Sequence, residues 1–152
     1  MENIYDNTYV IELDDQDVKD FKIVRPECKD RYGMVSFYAP WCPHCTDMVK
    51  PLDYLSKQLH NHGIIFCAVN CTKQQGLAQT YQIQSFPTLY TLYPNGQLEL
   101  YKGKRSIEEL LNWLVELTNH NTKPPTPINL DYFSDSDGES VHNMDESIEN
   151  RS

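Results

Sequence analysis

Cys42 and Cys45 stand two residues apart in the stretch APWCPHC, with Trp41 before them and Pro43 and His44 between them. Two thiols at this spacing admit three chemistries: a dithiol that cycles with a disulfide, half of a metal site, or a pair of inert buried cysteines. A zinc or iron–sulfur site needs further ligands at suitable spacing. Cys67 and Cys71 lie on or just after an apolar run and would have to reach the motif to supply them. The chain has five cysteines, so at least one thiol stays outside any internal pairing. Cys67 reads as core packing and Cys71 as a semi-buried thiol. Cys28, following Arg25-Pro26-Glu27 in an expected loop, reads as solvent-facing.

Two elements must position the pair. GMVSFYA, residues 33–39, is an almost unbroken β-favouring run of the kind buried on both faces of a sheet. Pro43 suits the first position of a helix, where its missing N–H is not needed. Cys42 is therefore expected at the junction of a strand and a helix, facing unpaired backbone N–H groups and the positive end of the helix dipole. Such surroundings favour thiolate and can lower a cysteine pKa from about 8.5 into the range of roughly 3.5–7.5. A protonated His44 would add positive charge nearby. Cys45, one helical turn on, should be more buried and less acidic, so that Cys42 attacks or is attacked and Cys45 resolves the mixed disulfide.

The rest of the chain supplies a frame for that junction. YVIEL, residues 9–13, reads as a first strand, followed by a short helical piece around 16–21. The helix opening at Pro43 keeps its apolar spacing through Met48, Leu52, Leu55 and Leu59, closes at Gly63 and should kink at Pro51. IIFCAVN, residues 64–70, is a second continuous strand, which makes a parallel strand–helix–strand unit. A short helix is expected over 74–81. Strands over 88–93 and 97–101 flank the turn Pro94-Asn95-Gly96. Ser106 and Glu109 form a capping box that opens a final helix buried through Ile107, Leu110, Leu111, Leu114 and Leu117. The fold class is α/β: a central mixed sheet with a parallel half and a C-terminal antiparallel hairpin, with helices on both faces. In such sheets, chemistry gathers where strands end at their carboxyl side.

The domain is expected to span residues 1–120, followed by a disordered acidic tail over 121–152. That tail holds seven acidic and two basic residues, giving it −5 of the chain's net charge of −9. The acidic balance speaks against nucleic acid as a partner. No apolar run reaches the roughly 20 residues a membrane-spanning helix needs. MENIYDNTYVIELDD has neither a positive start nor an apolar stretch of leader length, so a cytoplasmic protein is expected unless a removed leader preceded it.

FYAPWCPHC, residues 37–45, resembles the active-site stretch FYAPWCGHC of protein disulfide isomerase catalytic domains, within the thioredoxin superfamily. SFPT, residues 85–88, is similar to the cis-proline loop of that superfamily, and YKGKR, residues 101–105, to the isomerase pattern leading into the last helix. The three motifs fall in the family's order and together cover about residues 9–118. The resemblance implies a thioredoxin fold with Cys42 and Cys45 as the catalytic pair and a cis bond before Pro87. It implies that Phe86 and Pro87 meet an extended substrate, that Trp41 shields Cys42, and that Arg105 eases deprotonation of Cys45. The family usually has a buried acid six residues before the first cysteine, where this chain has Ser36, and its helix proline one residue earlier than Pro51. CPHC is also the motif of bacterial DsbA-type oxidases, but the 45 residues from Cys42 to Pro87 leave no room for their helical insertion. A relatively oxidising dithiol on an isomerase-like frame is the expectation.

The function expected from this reading is a thiol–disulfide oxidoreductase forming, reducing or isomerising protein disulfides, without metal or organic cofactor. Its partners would be protein thiols and disulfides, with a redox protein or glutathione to reset the pair. The chain is expected to act as a monomer away from membranes. The rival reading, favoured by Ser36, is a redox-poor peptide-binding or structural module of thioredoxin fold. Stand-alone domains of this kind occur in large DNA viruses that assemble disulfide-containing particles in the cytoplasm, so packaging in a virus particle is a further expectation of the resemblance.

Overall fold

A computed structural model describes residues 3–120; the acidic tail expected over 121–152 lies outside the described residues. The fold is organised around one strand, β4 (Tyr32–Tyr38), whose seven residues are all buried. Three short strands precede it in the chain: β1 (Ile11–Glu12), β2 (Val18–Lys19) and β3 (Lys22–Ile23). After it come β5 (Ile64–Asn70), β6 (Thr88–Leu92) and β7 (Leu98–Leu100). Five of these strands form a sheet in the order β1-β5-β4-β6-β7. β5 runs parallel to both β4 and β1, while β6 is antiparallel to β4 and β7 antiparallel to β6. This is the expected mixed sheet, with β1 shorter than the run YVIEL suggested.

Alternation along β4 and β5 sends side chains into two cores. Tyr32, Met34 and Tyr38 join Leu52, Leu55, Leu110 and Leu114 from helices on one face. Val35 and Phe37 join Val69, Leu77 and Leu92 on the other. Helix α4 (Ile107–His120) buries Ile107, Leu110, Leu111, Leu114 and Leu117, the stripe its sequence carries. Each such leucine contributes about 1.5–3 kcal/mol by leaving water. The Ser106 hydroxyl accepts the backbone N–H of Glu109 at 3.2 Å and caps the helix. α3 (Gln75–Thr80) lies against the opposite core through Leu77.

Two local features differ from the sequence expectation. The helix expected from Pro43 to the Gly63 stop is two helices, α1 (Pro43–Asp47) and α2 (Val49–Leu59), joined at Met48. Pro51 has no N–H to offer the carbonyl of Asp47, and its ring crowds that carbonyl, so the ladder breaks one turn ahead of the proline. The segment expected as helix around 16–21 instead holds a 3₁₀ turn (Asp15–Asp17) and the β2–β3 hairpin. Asp20 and Phe21 turn that hairpin with φ of 55° and 62°. Two successive left-handed residues are the geometry of a tight hairpin loop and cannot continue a helix. The hairpin docks on the β6–β7 turn, where the Ile23 N–H donates to the Gly96 carbonyl at 2.8 Å.

Gly33, at the start of the central strand, has no room for a side chain: a Cβ there would stand 1.9 Å from the Ile65 carbonyl oxygen of β5. Gly33→Ala must therefore push β4 and β5 apart. A loss of about 3 kcal/mol is expected, read as a lowered urea midpoint with little change in slope.

Candidate active site

The carboxyl end of β4 delivers the chain to the paired cysteines. Ala39 accepts the Cys42 N–H at 3.1 Å, and the Cys42 carbonyl accepts the Cys45 N–H at 3.0 Å, so a tight turn runs straight into α1. Cys42 is the extended N-cap residue and Pro43 occupies the first helical position. The Phe86–Pro87 peptide bond is cis, and the Cys42 thiol donates to the Phe86 carbonyl at 3.7 Å. Trp41 is 60% exposed and packs edge-on against Phe86, ring centroids 5.9 Å apart. Cys42, Trp41 and Phe86 thus meet in one place, with Pro87 joined to Phe86 by the cis bond, although 44 residues separate Cys42 from Phe86.

Both thiols lie in the same core, Cys42 at its rim with 8% exposure and Cys45 fully covered, and they differ in acidity. Backbone N–H groups of Cys45 and His44, together with the Cys45 thiol, face the Cys42 sulfur and lower its pKa, against a smaller opposing effect of burial. Cys45 has no exposed surface, and burial pushes it up to about 11, with Arg105 only weakly countering. Arg105 itself is exposed. His44 is exposed as well, and its effect on Cys42 comes through its backbone N–H. Among the described residues, no group of three or more His, Cys, Asp or Glu is arranged to hold a metal ion.

Ser36 lies on the same face of β4 as Met34 and Tyr38 and is completely buried. Its hydroxyl and that of Tyr5 lie near one another, yet neither completes a well-formed hydrogen bond with a described group. A nearby acid is present two strands away. Glu12, Ala68 and Ser36 form one row across β1, β5 and β4, and only the small Ala68 stands between the two polar side chains. The Glu12 carboxylate accepts the Tyr38 hydroxyl at 2.5 Å, and Tyr38 packs edge-on against Tyr5. Burial raises Glu12 to about 7, opposed by the Tyr38 hydrogen bond and by Lys73, with Asp6 adding to the rise. Tyr5 lies within electrostatic reach of both Glu12 and Cys45. Sequence reasoning missed Glu12, although the alternation of YVIEL places it on the same face as the buried Val10.

Cys28 is a correction to the sequence reading: it is 2% exposed, and its sulfur lies 3.6 Å from that of Cys67. Cys67 is core, as expected. Cys71 is also buried, and burial pushes it up to about 12.

A strand–turn–helix junction bearing two thiols of opposite acidity beside a cis-proline loop defines a protein of the thioredoxin class. The family model described as Thioredoxin matches residues 15–116, and the chain belongs to that family. Several of its relatives carry protein disulfide isomerase names. It is 31% identical over 106 residues to protein disulfide isomerase-like 1-4 of Arabidopsis thaliana, which covers 68% of this chain but 18% of that protein. The chain therefore spans about a fifth of that relative's length. Among solved structures, the J-Trx1 fragment of ERdj5 superposes with a TM-score of 0.62 at 24% identity, covering 75% of this chain and 54% of the fragment. The first thioredoxin domain of mouse protein disulfide-isomerase A4 gives 0.59 at 24%, covering 78% and 81%. Among the described residues, no helix is long and apolar enough to cross a membrane.

Glu12 generates a pH dependence of stability. Its folded pKa, about 7, lies above its ordinary 4.5, so the folded state holds this proton more tightly than the unfolded chain. The stability it contributes is complete below about 4.5 and is lost as pH rises through about 7. Partial exposure of the carboxylate reduces the effect to about 1 kcal/mol. Glu12→Gln, which keeps an acceptor for Tyr38, should be more stable than wild type at pH 8 and equal to it at pH 4. Urea titrations at the two pH values measure this.

Proposed function

We propose that this chain is a thiol–disulfide oxidoreductase that forms, reduces or isomerises protein disulfides through the Cys42–Cys45 dithiol. The observation that carries this reading is the placement of the pair, Cys42 capping α1 beside the cis-proline loop and Cys45 fully buried one turn on. The sulfur meeting the Phe86 carbonyl is lowered in pKa, and the sulfur behind it is buried and raised to about 11. An attacking thiol is most useful as thiolate near ambient pH, whereas a resolving thiol must stay protonated until the mixed disulfide has formed. In the reducing direction, Cys42 thiolate attacks a substrate disulfide, one substrate sulfur leaves as thiolate, and Cys45 then displaces the second. The Cys45 proton departs in that last step, leaving Cys42–Cys45 oxidised. Oxidation of a substrate dithiol runs the same exchange backward. Trp41 and Phe86 offer an apolar surface beside Cys42 for an extended substrate segment, and a protein partner or glutathione resets the pair.

The proton of Cys45 passes, on this reading, toward Glu12. That carboxylate shares the sheet row of Ser36 and is raised to a pKa at which it can accept and return protons near neutrality. Ser36 favours a second reading, a thioredoxin-fold module that holds peptides without turning over, since a hydroxyl has no useful basicity there.

Catalysed reduction of a small disulfide-bonded protein by glutathione separates the two. Wild type should accelerate it, Cys42→Ser should fall to background, and Cys45→Ser should accumulate substrate as a mixed disulfide on Cys42. A wild type no faster than Cys42→Ser, yet still retaining a peptide partner, would establish the binding module instead. Glu12→Gln should slow turnover at pH 7 on the order of 10-fold or more, and Ser36→Glu in that background should restore it. Equal rates for wild type and Glu12→Gln across pH 6–9 would remove Glu12 from the proton path.

A further inference from the structure

The second close pair of sulfurs lies on the other side of the sheet. Cys28 closes the 3₁₀ turn Pro26–Cys28, and Cys67 sits in the middle of β5, paired with Ile11 of β1 and Val35 of β4. Both belong to the core that contains Val35, Phe37 and Leu77, whereas Cys42 and Cys45 belong to the opposite one. Cys28 and Cys67 are 2% and 1% exposed, and their sulfurs are 3.6 Å apart. Within residues 24–30, Cys28 is the only fully buried residue, so its thiol is the point at which this surface segment enters the core. The pair is 39 residues apart in sequence, and closure of the sulfurs by about 1.5 Å reaches bonding distance.

We infer that Cys28 and Cys67 form a second redox couple, separate from the Cys42–Cys45 dithiol, whose disulfide pins the 24–30 segment to the central sheet. Cys28 is the entry point. The Cys67 thiol directed at its sulfur lowers its pKa against burial, and the nearby Arg25 guanidinium lowers it further, while Cys67 is pushed up. Cys28 is also carried on the outer segment, so local opening of one turn exposes it, whereas Cys67 is held by strands on both sides.

The oxidant is a small disulfide such as glutathione disulfide. Cys28 thiolate attacks one of its sulfurs, forming a mixed disulfide and releasing one glutathione thiolate. Cys67 then loses its proton and attacks the Cys28 sulfur, forming the Cys28–Cys67 bond and releasing the second glutathione thiolate. Two protein thiols are oxidised, one glutathione disulfide is reduced to two thiols, and the two protons leave with the products. The active-site disulfide of the same molecule is not the oxidant, because it lies across the sheet.

The test uses the full chain carrying Cys42→Ser and Cys45→Ser, so its outcome does not depend on whether the active-site pair turns over. The protein is equilibrated in glutathione buffers of increasing oxidation, quenched in acid, alkylated under denaturing conditions and digested for mass spectrometry. The expected product has lost two hydrogens in a cross-link joining the Cys28 and Cys67 peptides, with Cys71 alkylated. Closing a loop of this length should raise the melting temperature by roughly 10 °C. Adding Cys28→Ser should abolish both changes and leave Cys67 alkylated. Full alkylation of Cys28 and Cys67 at every ratio would overturn the inference. So would a stable glutathione adduct on Cys28 without the cross-link, or a bond from Cys67 to Cys71. If the Cys28→Ser chain does not fold, the cross-link map of the parent chain decides alone.

Discussion

The structure depends on β4 being hydrogen-bonded on both edges and covered on both faces. Its partners are fixed residue by residue, from Tyr32 opposite Ile64 to Tyr38 opposite Asn70, and from Gly33 opposite Leu92 to Phe37 opposite Thr88. A one-residue slip would exchange every side chain between the two cores, sending the Phe37 face toward α4 and the Met34 face toward α3. That penalty locks the register and so fixes where the strand ends. Because the turn to Cys42 follows at once, the position of the sulfur relative to Phe86 on the adjoining loop inherits the precision of the strand. The absence of a side chain at Gly33, which lets β4 and β5 approach, belongs to the same constraint.

From that junction the electrostatics of the two thiols follow with little further help. One sulfur stays outside the first helical turn, where backbone N–H groups point at it; the other enters the core with the turn. Neither the His44 nor the Arg105 side chain is needed to establish the difference, since both are exposed and the larger effects are backbone N–H groups for Cys42 and burial for Cys45. The difference in acidity is therefore a property of the backbone path more than of particular charged side chains. Removing a buried proton is a separate problem. With a hydroxyl at position 36, the only acid that the sheet brings onto this row is Glu12, on the edge strand.

Much of this was legible in the sequence, for identifiable reasons. β4 and β5 are unbroken apolar runs, the β6–β7 hairpin has a Pro-Asn-Gly turn, and α4 carries its capping serine and leucine stripe. Each of these signals is local. The misreadings are equally physical. A polar stretch around Asp20 and Phe21 gives no pattern that distinguishes a short helix from two left-handed turn residues. Pro51 signals a disturbance, but the break falls at Met48 because the conflict is with a carbonyl four residues earlier. Cys28 looked like a loop thiol because nothing near it in sequence is apolar enough to mark burial; its partner is on a strand 39 residues away. Glu12 went unnoticed because its importance comes from the strand order, which sets β1 beside β5 and leaves only Ala68 between it and Ser36.

The same sheet gives its two cysteine pairs different characters. Cys42 and Cys45 are neighbours along a helical turn, Cys42 keeping 8% exposure at the rim of its core and Cys45 none, and their separation is set by local backbone geometry. Cys28 and Cys67 are brought together only by tertiary structure, with both sulfurs inside a core and a surface segment as the hinge. A disulfide between the first pair constrains a loop of a few residues and alters the folded state little, which suits repeated opening and closing. A disulfide between the second closes a loop of about forty residues, where the loss of chain entropy in the unfolded state is large. Exchange at the first pair, as proposed, would be governed by thiolate acidity and access, and at the second by how readily the 24–30 segment lifts from the sheet. On the roles proposed for them, the first couple would answer to its partners and the second to the folding equilibrium of the chain.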